Sequence, residues 1–165
     1  NLEWGEPNTR AAIEIIYASA IDHFLISDFE MSAAMLELLC ELDPEDHLAA
    51  VILLAFHYLA MEEYELFDEV SYDISDKYAC KEVLTMWSDF RTKGRIPEGE
   101  IMRFKTKFTP YYTEFVAEEH PADEKYLQDI ESERPSVQAQ ARELWLQTEH
   151  LWTRFPEFIE ALRKA

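Results

Sequence analysis

Leu48 to Met61 reads LAAVILLAFHYLAM, the longest run without a formal charge in this 165-residue chain. As a helix it rises only about 21 Å, short of the roughly 30 Å hydrocarbon core of a bilayer. It is therefore read as a buried central helix. The run is apolar on almost every side, so one neighbour cannot cover it and packing is needed on two or more faces. A multi-helix scaffold follows.

Composition agrees. Apolar residues make up 48% of the chain and aromatic ones 13%, enough for a core without staples. Three glycines and few β-branched runs argue against a sheet-rich fold. Cys40 and Cys80 sit in helical patterns with no metal-site spacing around them, and read as buried thiols. No signal peptide, lipidation motif or membrane-length segment is legible, so a cytoplasmic protein is expected.

Charge is unevenly spread. Asn1 to Asp76 holds 18 acidic residues against the single base Arg10, whereas Lys77 to Ala165 holds 16 acidic and 14 basic residues. Phosphate contacts need Lys and Arg, so nucleic-acid binding by the first half is disfavoured. A field of one sign favours a basic partner; its plainer reading is a well-solvated acidic surface.

Outward from the central run, turn chemistry sets the boundaries. Asn1 to Asn8 reads as an extended lead-in, with Asn8 or Thr9 capping a first helix that reaches about Ile26. Its apolar stripe is Ile13, Ile16, Tyr17, Ala20 and Phe24. Ser27 or Asp28 caps a second helix, Phe29 to Leu42, with Met31, Met35, Leu38, Leu39 and Leu42 expected inward. Asp43-Pro44 stops it, and Pro44 suits the opening of the central helix. Glu62 and Glu63 mark a turn before Tyr64 to Ile74.

Lys77 to about Lys93 follows, with Cys80, Val83, Leu84, Trp87 and Phe90 on one face and Gly94 as its C-terminal cap. Further helices are predicted from Pro97 to Phe108, Tyr111 to Glu119, Glu124 to Ile130, Ser136 to Phe155, and Pro156 to Lys164. In the long one, Ala141, Leu144, Trp145, Thr148, Leu151 and Trp152 share a face. No flexible linker divides the chain, so a single all-helical domain over 1–165 is expected.

Asp28-Phe29-Glu30 aligns with Glu63-Tyr64-Glu65 at a period of 35, and Gly94-Arg95-Ile96 follows about 32 later. Ala20, Phe29, Ser32 and Pro44 in a first unit, and Leu54, Ala55, Tyr58 and Tyr64 in a second, carry a degenerate pattern that resembles the tetratricopeptide repeat. Two departures are Phe67 at a small-residue position and Glu62 in place of a turn glycine. In a third unit, Trp87 occupies a small position. The resemblance implies an all-α, tetratricopeptide-like α-α superhelix over about 11–113, with additional C-terminal helices over about 114–165 as a cap.

It further implies a concave groove that binds a peptide or helix. Its usual positions fall on Tyr17, Ile21 and Phe24, on Ile52, Phe56 and Leu59, and on Leu84 and Arg91. Something should cover so apolar a stripe: either the tail helix bearing Leu144, Trp145, Leu151 and Trp152, or a partner's amphipathic segment. The basic cluster Arg91, Lys93, Arg95, Arg103, Lys105 and Lys107 is expected to pair with the chain's own carboxylates or those of a second copy.

His23 and His57 read as packed histidines, with a shared metal or acid/base cluster as the alternative. No zinc-protease, nucleophile-elbow, phosphate-loop or dinucleotide motif occurs. The expectation is a non-enzymatic scaffold, adaptor or specialised chaperone that binds a basic or amphipathic protein or peptide, with no cofactor, metal, nucleic acid or membrane. A homo-oligomer is compatible with it. A small acidic inhibitor that masks a basic partner is the alternative, and a helical hydrolase with a clustered His and carboxylate pocket is a third.

Overall fold

In the computed structural model, residues 3–165 are described; Asn1 and Leu2, the start of the expected lead-in, lie outside them. Among the described residues there are ten helices and no strand, so the chain is all-α. No helix among them is long and apolar enough to cross a membrane. Compactness divides the chain into two units, Asn1–Ser75 and Asp76–Ala165. That boundary coincides with the change from the acidic half to the mixed half.

The first unit contains α1 (Pro7–Leu25), α2 (Phe29–Leu42), α3 (Ala50–Ala60) and α4 (Tyr64–Tyr72), each packed on the next. The cap of α1 is neither Asn8 nor Thr9: the Glu6 carboxylate accepts the Thr9 backbone N–H at 2.9 Å, and Pro7 opens the helix where no N–H is needed. Asp28 caps α2 through the Met31 N–H.

The turns joining α1 to α2 and α3 to α4 are the same structure repeated. Ser27 (φ 62°) and Glu62 (φ 60°) are left-handed, and the next N–H reaches back five residues, Asp28 to His23 O at 2.9 Å and Glu63 to Tyr58 O at 2.8 Å. This is the hydrogen-bond pattern of a Schellman end, satisfying carbonyls the helix leaves open. Glu62, which departs from the expected turn glycine, adopts the conformation a glycine would supply.

Two sequence expectations change here. The buried side of α2 is Ser32, Ala33, Leu36 and Leu39, while Met31 and Leu38 are 46% and 42% exposed. Small side chains let the helices approach closely: the Ser32 hydroxyl lies 2.8 Å from the Ala20 carbonyl and shares its one proton between that carbonyl and His57. Large apolar residues at Met31 and Leu38 would prevent that approach on the inner side. Pro44 does not open α3 either. Residues 43–49 form a loop, with Asp46 and Ala49 left-handed, and the Asp46 carboxylate accepts the N–H groups of Ala50 and Val51 at 2.6 and 3.1 Å. From Leu53 to Ala60 every residue of α3 is buried, as the uncharged run requires.

The second unit contains α5 (Ala79–Lys93), α6 (Glu98–Lys107), α7 (Thr109–Val116), α8 (Glu124–Ile130), α9 (Val137–Arg154) and α10 (Glu157–Lys164). Gly94 ends α5 at φ 77°, where its lack of a Cβ removes the left-handed penalty. Ser136 caps α9 through the Ala139 N–H, and is itself held by Asp129, which accepts both its N–H (2.8 Å) and its hydroxyl (2.6 Å).

The core of this unit is aromatic. Trp87 meets Trp152 edge-on at 5.1 Å and Phe155 at 5.8 Å; Phe115 meets Trp145 edge-on at 5.2 Å. Trp87 thus fills space between α5 and the tail, where a small residue would have brought two helices close. Edge-to-face pairs of this kind contribute roughly 0.5–1.5 kcal/mol beyond the area they bury.

Candidate functional site

The eight expected groove residues divide by exposure. Phe24 is 2% exposed, and Phe56, Leu59 and Leu84 are fully buried. These four are core side chains. Tyr17, Ile21, Ile52 and Arg91 remain partly accessible. Arg91 lies over the Phe155 ring at 4.6 Å, so the chain's own tail occupies that part of the predicted groove.

Most of the basic cluster is engaged within its own unit. Lys93 pairs with Asp89 and Arg103 with Glu82, both at 3.2 Å, while Lys105 and Lys107 lie over Tyr112 and Phe108. These carboxylates belong to the second unit, not to the acidic first half.

His23 and His57 each bond to other groups, in keeping with packed histidines rather than the alternative of a shared cluster. His23 pairs with Asp28 at 3.2 Å. His57 is fully buried, with Nδ1 2.7 Å from the Leu53 carbonyl and Nε2 2.6 Å from Ser32 Oγ. Burial lowers its pKa to about 4, so the ring is neutral near pH 7. Among the described residues no three His, Cys, Asp or Glu side chains could hold a metal ion. Burial, with help from Asp46, Glu37 and Asp43, raises the Cys40 thiol to about 11; burial also raises Cys80. Neither is a thiolate at neutral pH, and both therefore lack nucleophilic character.

The first unit's surface is unusual in another way. Ile15 (69% exposed), Leu25 (56%) and Ile26 (73%) lie on or just beyond α1, and Met31 and Leu38 lie seven residues apart on α2. They stand in a unit with a single basic side chain, Arg10. The first unit thus carries exposed apolar side chains in a chain segment whose formal charges are almost all negative.

In the second unit the structure assembles a cluster that the sequence did not reveal. The Glu114 carboxylate, only 8% exposed, accepts Arg142 Nε and Nη2, each at 3.2 Å, and also His120 Nδ1. Arg142 Nη1 continues to the Pro121 carbonyl at 3.2 Å. A buried carboxylate demands such partners, because desolvation is otherwise uncompensated. The ring of His120 stacks on Trp145 at 3.9 Å and 18°. The other ring nitrogen of His120 is Nε2. That atom is buried and has no hydrogen-bond partner.

His120 lines a cleft of about 340 Å³ together with Trp145, Trp152, Glu118, Glu149, Glu160 and the cation Arg163. Glu114 lies on the inner face of α7 with Tyr111 and Phe115, three and one positions away. A carboxylate among aromatics on that face was the one available signal. Its partners come from the 117–123 connection and from α9, and no periodicity links these to α7.

A larger cleft, of about 570 Å³, is lined by Glu82, Glu100 and Arg103. Burial, followed by a hydrogen bond to Asp89 and the charges of Asp89 and Glu82, raises Glu100 to about 8. Glu100 is mostly protonated at pH 7 and shares that proton with Asp89.

No protein-family model matches the chain, and neither a curated protein nor a solved structure is significantly similar to it.

Proposed function

We propose that the chain is a non-enzymatic protein-binding module, a scaffold, adaptor or specialised chaperone. Its first unit receives a basic amphipathic segment. The observation that carries this reading is the apolar side chains of α1 and α2 left exposed in a unit with one base and many carboxylates. The negative field gathers a basic partner, and apolar anchors then retain it. Accessible residues of the expected groove, Tyr17, Ile21 and Ile52, serve as secondary contacts. A tetratricopeptide-like superhelix is part of the reading, supported by the repeated Schellman turns and by the small Ala20 and Ser32 meeting between α1 and α2.

The test is fluorescence anisotropy with a labelled, Lys- and Leu-rich amphipathic peptide at low and high salt. Saturable binding that weakens with salt and is lost in the folded Met31→Glu, Leu38→Glu double variant is expected. Absence of binding, or binding unchanged in that variant, overturns the apolar docking surface. The acidic-inhibitor reading gives a different pattern: there Glu62→Lys, Glu63→Lys and Glu65→Lys together slow association strongly, whereas apolar docking makes the effect small.

A second reading, base catalysis, is favoured by the Glu114–His120 pair. Solvent exclusion of Nε2 weighs against it, because a base must reach the proton it removes.

A further inference from the structure

Helix α1 is apolar on two opposite sides. At 3.6 residues per turn, Ile13, Ala20 and Phe24 fall together on the side that the unit buries. On the far side Ala11, Ile15, Ala18, Asp22 and Leu25 lie within an arc of about 80°. All five are exposed, and Ile26 extends the strip past the helix end. A helix with one buried side ordinarily turns a polar face to water, whereas this one turns out a second apolar stripe. Its steps of four, three, four and three residues are those of a coiled-coil seam, the pattern into which a second helix inserts its side chains.

Charge says what that second helix is. Glu14 and Asp22, the charged side chains of the strip and its border, are both acidic and exposed. Arg10, the one base of the unit, lies over the Trp4 ring at 4.9 Å rather than on either carboxylate. A second copy of the same face would set these carboxylates against their own kind. Asp22 stands within the seam itself, where a charged residue fixes the register of the helix that covers it.

We propose that the outer face of α1 seats a basic amphipathic helix of a partner protein, packed lengthwise on Ala11, Ile15, Ala18 and Leu25, with a Lys or Arg set against Asp22. From Ala11 to Leu25 the seat is about 21 Å long, so a helix of about four turns covers it. The small Ala11 and Ala18 leave room for the partner's larger side chains, while Ile15 and Leu25 enter between them. A further base on the partner's flank reaches Glu14. This rests on the reading that the first unit receives a basic amphipathic segment, and adds that the segment is a helix, where it lies and in which register.

The experiment uses the whole chain and a labelled peptide of three heptads. Leucine fills every a and d position except the central a, which is lysine, and lysine at each e and g keeps the peptide from pairing with itself. Binding is read by fluorescence anisotropy and helix formation by the far-UV circular dichroism of the mixture against the sum of its components. Saturable binding with a gain of helix is expected, and a scrambled peptide of the same composition is expected to bind about tenfold more weakly or worse. Ile15 and Leu25 are exposed, so Ile15→Glu with Leu25→Glu is expected to keep the melting transition and to weaken binding by about tenfold or more.

The register is tested by exchange of charge. Asp22→Lys is expected to weaken the lysine peptide by about tenfold and to recover a similar factor toward a peptide with aspartate at the central a position, a rescue that loss of fold cannot give. Binding that is lost in Met31→Glu with Leu38→Glu yet undiminished in the α1 variant overturns this seat and leaves the docking reading in place. No saturable binding overturns both. Equal binding of the scrambled peptide, or a dimer of the chain that the α1 variant dissociates, overturns the proposal, the dimer by assigning the face to a second copy.

Discussion

Ser27 and Glu62 stand 35 residues apart and share one backbone conformation, φ 62° and 60°, at the ends of α1 and α3. Neither is glycine, so each carries a left-handed penalty of roughly 1–2 kcal/mol, offset in part by the greater chain entropy a glycine would lose. Glu62→Gly is expected to raise stability by about 0.5–1 kcal/mol in urea denaturation, and Ser27→Gly by a similar amount. Gly94→Ala at φ 77° should move the other way by about 1 kcal/mol, through strain alone, since a Cβ there meets nothing within 4 Å.

His57 makes the first unit acid-sensitive. Its pKa is about 4 in the folded chain against 6.5 when unfolded, so between those values the unfolded state takes up a proton that the folded state refuses. The associated stability is fully present above about pH 6.5 and is lost as pH falls toward 4, by roughly 3 kcal/mol. Urea midpoints measured across this range should fall with acidity in the native chain and fall less in His57→Gln, provided that variant folds at pH 7. Equal slopes would show that other groups govern the acid limb.

Phe56 and Leu59 belong to the core, so their truncation is expected to act on stability. Phe56→Ala should cost about 3–5 kcal/mol and Leu59→Ala about 2–5 kcal/mol, read by thermal or chemical denaturation. Losses under 1 kcal/mol would be incompatible with their complete burial.

Glu100 gives the second unit an alkaline sensitivity. Its pKa is raised from 4.5 to about 8, so the folded state holds a proton the unfolded state releases. The stabilisation is complete below pH 4.5 and disappears as pH rises through about 8. A carboxyl ¹³C titration should place the Glu100 transition well above the ordinary carboxylate range, and Glu100→Gln should flatten the loss of stability between pH 6 and 9. A Glu100 signal titrating near 4.5 would refute the shared proton.

Much of this architecture is local chemistry, and local chemistry is legible in a sequence. Phe29 to Leu42 and Glu124 to Ile130 are helices with the expected limits, because Asp28 and Asp123 cap them through the Met31 and Tyr126 N–H groups. The α5 end at Gly94 and the buried face of α9 follow from φ and from periodicity in the same way. The 35-residue spacing showed where the turns recur, because each turn is closed by bonds within a few residues.

Packing set the rest. Periodicity says that a helix has an apolar face but not which of two adjacent faces is buried, and in α2 the close approach at Ser32 and Ala20 turned Met31 and Leu38 outward. The same limit explains the groove positions: Phe56 and Leu59 fit a first-helix face equally well exposed or buried. Glu114, His120, Arg142 and Trp145 come from α7, a connection and α9, joined by ion pairing and ring stacking over separations of 6 to 28 residues. By itself, then, the sequence determined the helices, their turns and the division of charge, all governed by near neighbours along the chain. Tertiary structure alone decided which apolar side chains face water and which polar ones share a cleft, because those depend on the desolvation and fit of residues brought together only by folding.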